Sequence, residues 1–232
     1  HVIPRTLSEE ELFYNVNTMG TENLIRGINQ TNKPTFIFIS TVAVYGCEEG
    51  LNIDESHQLK GSTPYALSKI GAEKAIDKWS KAYNTNAVNL RLPLVSGTTP
   101  QGNLSAMINA IRKGFYFRIG KGLVKKSMVG VQDVAELIPT LINKTGTYNL
   151  TDGFHPSIAE VEDRLANQLG KNIRTLPEGL ILVLAKIGNF VPKFPLNESR
   201  FKKLNQSLTF SDQKARKELG WNPQNALTRL NV

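Results

Sequence analysis

The chain has 232 residues, 40% of them hydrophobic and 21% charged, with 18 Gly and 11 Pro. That composition belongs to a folded globular chain and excludes a disordered, collagen-like or coiled-coil protein. A single cysteine, Cys47, excludes an internal disulfide, and three scattered histidines argue against a metal site of the zinc kind.

The lack of disulfides fits a reducing, cytoplasmic setting. The net charge of +8 comes with no recognition motif, so a nucleic-acid partner is not expected. A solvated basic face or an anionic small substrate accounts for it. The longest apolar run, Leu180 to Ala185, falls far short of the roughly 20 residues a membrane span needs. A start at His1 instead of Met, leading straight into a helix, predicts a segment upstream.

Ser8 and Glu11 have capping-box spacing, and Leu12, Val16, Met19, Leu24 and Ile28 mark an apolar stripe, predicting a helix to about Asn29. Lys33-Pro34 breaks the chain, and Thr35–Ser40 reads as a short strand buried on both faces. A polar loop, Gly46–Ser62, follows. Thr63 as N-cap and Pro64 at the first helical position predict a helix to Tyr83. Its inner face would carry Ala72, Ala75, Ile76, Trp79 and Tyr83.

Ala87–Val95 reads as a buried strand interrupted by Arg91 and Pro93. Beyond the turn-rich Gly97–Asn103 come a helix over Leu104–Lys113, strands at Phe115–Ile119 and Ser127–Val131, and a helix over Asp133–Asn143. A strand at Thr147–Thr151 and a helix over Ser157–Leu169 complete the pattern. Asp133 reads as a helix N-cap. Residues 172–205 alternate apolar and basic stretches. Helices alternating with strands predict an α/β fold, a doubly wound parallel sheet with a smaller α/β lobe. The sheet domain would occupy residues 1–96 and the lobe mainly 97–232, with sheet elements returning at about 127–151.

Tyr65-Ala66-Leu67-Ser68-Lys69 places a phenol and an ammonium one helical turn apart on one face. A nearby ammonium favours the phenolate, so Tyr65 is expected below its ordinary pKa of about 10 and able to take a proton from a hydroxyl. Ser40 and Thr41 leave a predicted parallel strand at its carboxyl end, where ligands bind in open α/β sheets. Thr41 could hydrogen-bond the oxygen that Tyr65 deprotonates; equally, both hydroxyls could merely satisfy turn backbone groups.

Thr41 ahead of Tyr45-Gly46, followed some twenty residues on by Tyr65-x-x-x-Lys69, resembles the extended short-chain dehydrogenases/reductases, above all the nucleotide-sugar epimerases and reductases. Further segments resemble the same family. They are Asn17-Thr18-Met19-Gly20-Thr21, Arg91-Leu92-Pro93-Leu94-Val95-Ser96-Gly97, Phe210-Ser211-Asp212 and Leu219-Gly220-Trp221-Asn222-Pro223.

The resemblance implies a Rossmann-like sheet and a homodimer. Tyr65 would be the acid/base, Lys69 would hold the cofactor ribose and tune Tyr65, and Thr41 would orient the reacting hydroxyl. Asn17 would support the lysine; otherwise it is a helix-kink or packing residue. Ser40, Pro93 and Leu94 would lie along the cofactor, NAD or NADP. Thr41, Val42, Ala43, Asn103 and Lys126 would face the substrate, a nucleotide-diphosphate sugar. Lys126 stands where the family has a phosphate-binding Arg, and a surface lysine is the alternative reading.

Two departures matter. No Gly-x-x-Gly-x-x-Gly or Gly-x-Gly-x-x-Gly is present. In the family that loop precedes the Asn17 helix, which implies about sixty to eighty residues upstream, one βαβαβ half, and weak dinucleotide binding without them. Val42 and Ala43 also replace the acidic pair of the 4,6-dehydratase branch, and alkyl groups do no proton chemistry.

An epimerase is therefore expected. A 4-keto-sugar reductase uses the same three residues and stays open. So do a hydroxysteroid- or flavonoid-type alcohol dehydrogenase and a non-catalytic dinucleotide-binding protein. Leu180–Lys203 could also lie on an anionic membrane surface, or pack on the lobe as a helix.

Overall fold

The computed structural model describes residues 7–28, 34–98, 102–177, 179 and 206–232. The segment proposed for a membrane surface, Leu180–Lys203, lies outside the described residues. Among the described residues no helix is long and apolar enough to cross a membrane.

Helix α1 (Leu7–Phe13) passes through a π-helical turn (Tyr14–Met19) into α2 (Gly20–Gly27). Ser8 lies inside α1, not at its cap. The expected apolar stripe points outward: Leu12, Val16, Met19 and Leu24 are exposed, while Thr18, Thr21 and Ile25 are buried. Periodicity marks a face without saying which way it turns. Here hydrogen bonds decide it. Thr18 Oγ1 donates to the Ser68 carbonyl at 2.8 Å, and Thr21 Oγ1 donates to the Asn17 carbonyl at 2.6 Å. Gly71 makes the approach possible, because a Cβ there would stand 2.9 Å from Thr18 Oγ1.

Strand β1 (Phe36–Thr41) ends in a 3₁₀ turn (Val42–Tyr45). The loop beyond it contains an unexpected strand, β2 (Gly50–Ile53), and leads to α3 (Pro64–Tyr83). As anticipated, Thr63 accepts from the Ala66 N–H at 3.2 Å and Pro64 opens the helix. Ala72, Ile76 and Trp79 are buried, whereas Tyr83 is exposed in the last turn.

The predicted Ala87–Val95 strand splits at Pro93 into β3 (Ala87–Leu92) and β4 (Leu94–Ser96), which join different sheets. Proline lacks the N–H that would continue the ladder. Then come α4 (Gly102–Arg112), β5 (Phe117–Ile119), β6 (Met128–Gly130) and α5 (Val131–Leu137), the last continued by a 3₁₀ turn (Ile138–Leu141). Gly130, not Asp133, is the N-cap of α5. Asp133 is buried within the helix, where it accepts from the Gln224 N–H at 3.3 Å and pairs with Arg229 at 3.5 Å.

β7 (Gly146–Asn149), α6 (Ile158–Leu169, with a Ser157–Glu160 capping box), β8 (Arg174–Leu176), β9 (Leu208–Phe210) and α7 (Gln213–Leu219) complete the described elements. The central sheet is parallel throughout, in the order β1–β3–β7, with Ser40 opposite Arg91 and Thr41 opposite Leu92. Parallel pairs β4–β6, β2–β9 and β5–β8 flank it.

β3 is buried along nearly its whole length. β1 is buried only at Ser40 and Thr41, and Ile39 is exposed, so the expectation of burial on both faces is not met along this strand among the described residues. One core packs Val88, Leu90, Tyr148 and Leu150 against Val134, Leu137 and Trp221. A second packs α4 residues Leu104, Ile108 and Ile111 against Val161 and Leu165 of α6. The carboxyl ends of β1, β3 and β7 thus lie on one rim, with the α4–α6 pair beside it.

Candidate active site

At the end of β1 the Thr41 hydroxyl accepts from the Ala43 N–H at 3.2 Å, capping the 3₁₀ turn. Gly46 closes that turn at φ +69°, where a Cβ would stand 2.4 Å from the Lys60 carbonyl oxygen. Loop residues Lys60 and Gly61 donate to the Tyr45 and Val44 carbonyls at 3.3 and 2.9 Å. This docking sets the first turn of α3 against the end of β1. Tyr65, in that first turn, thereby shares the cavity wall with Thr41. Its ring meets Phe13 edge-on at 5.6 Å.

The electrostatics differ from the sequence expectation. Burial pushes the Tyr65 phenol above its ordinary value, and the Thr41 hydrogen bond offsets this only in part. Lys69 does not reverse it, because the ammonium is engaged elsewhere: it donates to the Ile39 carbonyl at 3.0 Å and lies 4.6 Å over the Phe38 ring. Burial pulls Lys69 down from its usual value, against an upward pull from Glu73. Tyr65 therefore stands in the site as a neutral phenol, the proton-donating form.

Behind these residues runs a buried polar chain that sequence reasoning missed. Glu73 accepts from Ser40 Oγ at 2.5 Å and from Arg91 Nε and Nη2 at 3.1 and 2.6 Å. Arg91 Nη1 donates to the Tyr45 hydroxyl at 2.9 Å, which donates to Asn149 Oδ1 at 2.7 Å. Two signals were present in the sequence: Glu73 one turn beyond Lys69 on the same helix face, and a lone arginine inside an apolar strand.

A cavity of about 490 Å³ opens at this rim. Of the anticipated site residues, Ser40, Thr41, Val42, Tyr65, Pro93, Leu94 and Asn103 line it together. Asn17 sits one layer back, in the π-helical turn, and donates to Ser68 Oγ at 3.1 Å. Ala43, Lys69 and Lys126 are not in the lining. Lys126 donates to the Gln206 carbonyl at 2.8 Å beside β9, and burial lowers its pKa. Among the described residues no group of three or more His, Cys, Asp or Glu could hold a metal ion.

The whole chain, residues 1–231, matches the family described as GDP-mannose 4,6 dehydratase. The chain belongs to this family. The GDP-mannose 4,6-dehydratase family is part of the extended short-chain dehydrogenases/reductases, as the motifs around Thr41, Tyr65 and Lys69 implied. Its relatives include both epimerases and dehydratases. An N-acetyl-α-D-glucosaminyl-diphospho-ditrans,octacis-undecaprenol 4-epimerase from Escherichia coli O157:H7 is 27% identical over 90% of this chain and 66% of its own length. A UDP-glucose 4-epimerase from Vibrio cholerae is 28% identical over 93% of this chain and 66% of its own. A dTDP-D-glucose 4,6-dehydratase from Mus musculus is 26% identical over 91% and 58%.

This member of the GDP-mannose 4,6-dehydratase family thus spans about two-thirds or less of the length of these curated relatives. The structure of RMD from Pseudomonas aeruginosa, solved with NADPH, superposes with a TM-score of 0.73 at 20% identity, covering 99% of this chain and 75% of that one. That likeness establishes the fold.

Proposed function

We propose that the protein is an NAD(P)-dependent 4-epimerase acting on a sugar carried by a diphosphate, in the first instance a nucleotide-diphosphate sugar. One observation carries the reading: Thr41 and Tyr65 stand together at the carboxyl end of a parallel strand, on the wall of a cavity large enough for a sugar ring.

The residues fit one end of a nicotinamide dinucleotide. Thr41, Tyr65, Pro93 and Leu94 share the cavity wall, where the hydroxyls and the backbone of β4 could hold a ribose and a carboxamide. Bound there, the dinucleotide would supply a hydride acceptor that can also return the hydride. Thr41 holds the substrate hydroxyl by a hydrogen bond and keeps it against the Tyr65 oxygen. The ionised fraction of Tyr65 accepts the proton of that hydroxyl as the hydride leaves, and the neutral phenol so formed returns it when the ring presents its other face. Lys69, anchored on the Ile39 carbonyl one turn along α3, holds the helix face that carries Tyr65 against the end of β1. Pro93 and Leu94 exclude water from the reacting face.

The family's description names a dehydratase, but Val42 on the cavity wall and Ala43 beside it carry no proton that could leave with water. At these two positions elimination lacks its acid and base. The diphosphate is the shared feature of the substrates named for the two epimerase relatives, one a nucleotide sugar and one a polyprenol-linked sugar.

The test is a panel of UDP-, GDP- and dTDP-sugars and an undecaprenyl-diphosphate sugar. Each is incubated with the full-length protein, with and without NAD(H) and NADP(H), and resolved by chromatography. A new stereoisomer, formed with no net cofactor consumption and lost in Tyr65→Phe, supports the reading. Stoichiometric consumption of reduced cofactor on a keto-sugar replaces it with a reductase, and tight cofactor binding with no turnover removes it.

A further inference from the structure

We propose that Glu73 is the positioning residue of this site, a single buried carboxylate that fixes the strand end bearing Thr41 against β3 and, one turn along its own helix, sets a negative charge on the face that carries Lys69. The inference rests on the functional reading above for its catalytic meaning, though not for its geometry.

Glu73 is only 4% exposed. It follows Tyr65 and Lys69 at four-residue steps, so all three share one face of α3. Its two oxygens hold Ser40 and Arg91, which stand directly opposite each other on β1 and β3. Ser40 precedes Thr41, and Arg91 lies two residues before Pro93. One carboxylate therefore clamps the two strands at the point where each delivers its cavity residue.

The remaining Arg91 nitrogen is satisfied by Tyr45, and Tyr45 by Asn149. A buried ion pair adds little net stability over an apolar pair of the same shape. Its benefit is a defined arrangement.

The groups facing Lys69 are few. From β1 come the Ile39 carbonyl and the Phe38 ring, and from α3 comes Glu73, whose charge opposes the effect of burial on the ammonium. Those facing Glu73 are Ser40 from β1, Arg91 from β3 and Lys69 from its own helix, with Tyr45 beyond Arg91.

The decisive experiment follows the Lys69 side chain itself, in ¹³C-lysine-labelled protein titrated by NMR, with the Lys69 signal assigned from Lys69→Arg. Glu73→Gln is compared with Glu73→Gln/Arg91→Met, which removes both buried charges and leaves no orphan. In Glu73→Gln the Lys69 midpoint should fall; in the double variant, which removes a positive charge along with the negative one, it should stay closer to wild type. The basic limb of the kcat–pH profile should move the same way. At neutral pH kcat should drop roughly tenfold to a hundredfold with KM for the sugar little changed, as for a misplaced rather than missing group. Glu73→Asp should recover part of both.

Folded Glu73→Gln protein whose Lys69 titrates at the wild-type midpoint, with the Thr41 and Ser40 amide signals at their wild-type positions in both Glu73→Gln and Glu73→Asp, overturns the proposal. The titration needs no substrate. It therefore decides the role of Glu73 even if the wild-type protein turns over none of the sugars, a result that would sink only the functional reading.

Discussion

The two walls of the cavity are built differently. The wall formed by β1 and α3 is held by a continuous buried chain, Ser40–Glu73–Arg91–Tyr45–Asn149, that crosses all three strands of the central sheet. The facing wall consists of three-residue β4, paired only with β6, and the first turn of α4, where Asn103 is exposed. A polar network specifies one arrangement, while a short strand and a helix end tolerate many. On the function proposed above, the rigid wall would carry the proton chemistry, which needs fixed distances, and the looser wall would face the part of the substrate that varies. Relatives with different named substrates and reactions are what such a division permits.

Several measurements bear on this contrast. Tyr65→Phe removes one oxygen from the rigid wall. Turnover should fall by about 10²–10⁴-fold while the unfolding midpoint in urea stays put. Glu73→Ala strips the centre of the network and leaves Arg91 as a buried unpaired charge; equilibrium unfolding should show a loss of about 3–5 kcal/mol. On the looser wall, Asn103→Ala should be mild: KM for the sugar rising about fivefold with kcat nearly unchanged, because binding is weakened equally in ground and transition states.

The smallest effect is spectroscopic. Burial raises the Tyr65 pKa, so the ultraviolet difference between wild type and Tyr65→Phe should show its ionisation only above pH 10. A midpoint near 7 would mean that Lys69 governs the phenol after all.

The rigid wall was half legible in the sequence. Thr63-Pro64 announced the start of α3, and the Tyr65–Lys69 step placed the pair on one face. What could not be read was the depth behind them. Arg91 registered as an interruption of a strand, and Glu73 as one of many charges on a helix. Each makes sense only when Ser40 and Arg91 come into register across 51 residues of chain.

Strand β2 was hidden for a related reason: its partner β9 lies more than 150 residues away, and a Gly-Leu-Asn-Ile stretch carries no alternation of its own. The outward turn of Leu12, Val16 and Met19 was illegible because a threonine hydroxyl, that of Thr18, and not the apolar stripe, binds the neighbouring helix. On the looser wall, Asn103 lines the cavity, while Lys126 turns toward Gln206.

The central claim is that the wall bearing Thr41 and Tyr65 serves a hydride that leaves the sugar and comes back. A sugar deuterated at C4, incubated with the full-length protein in ordinary water and followed by NMR, tests it most directly. Inversion at C4 with the deuterium retained and no cofactor consumed is the predicted result. Loss of the label to water, or its accumulation in released reduced cofactor, would contradict the account.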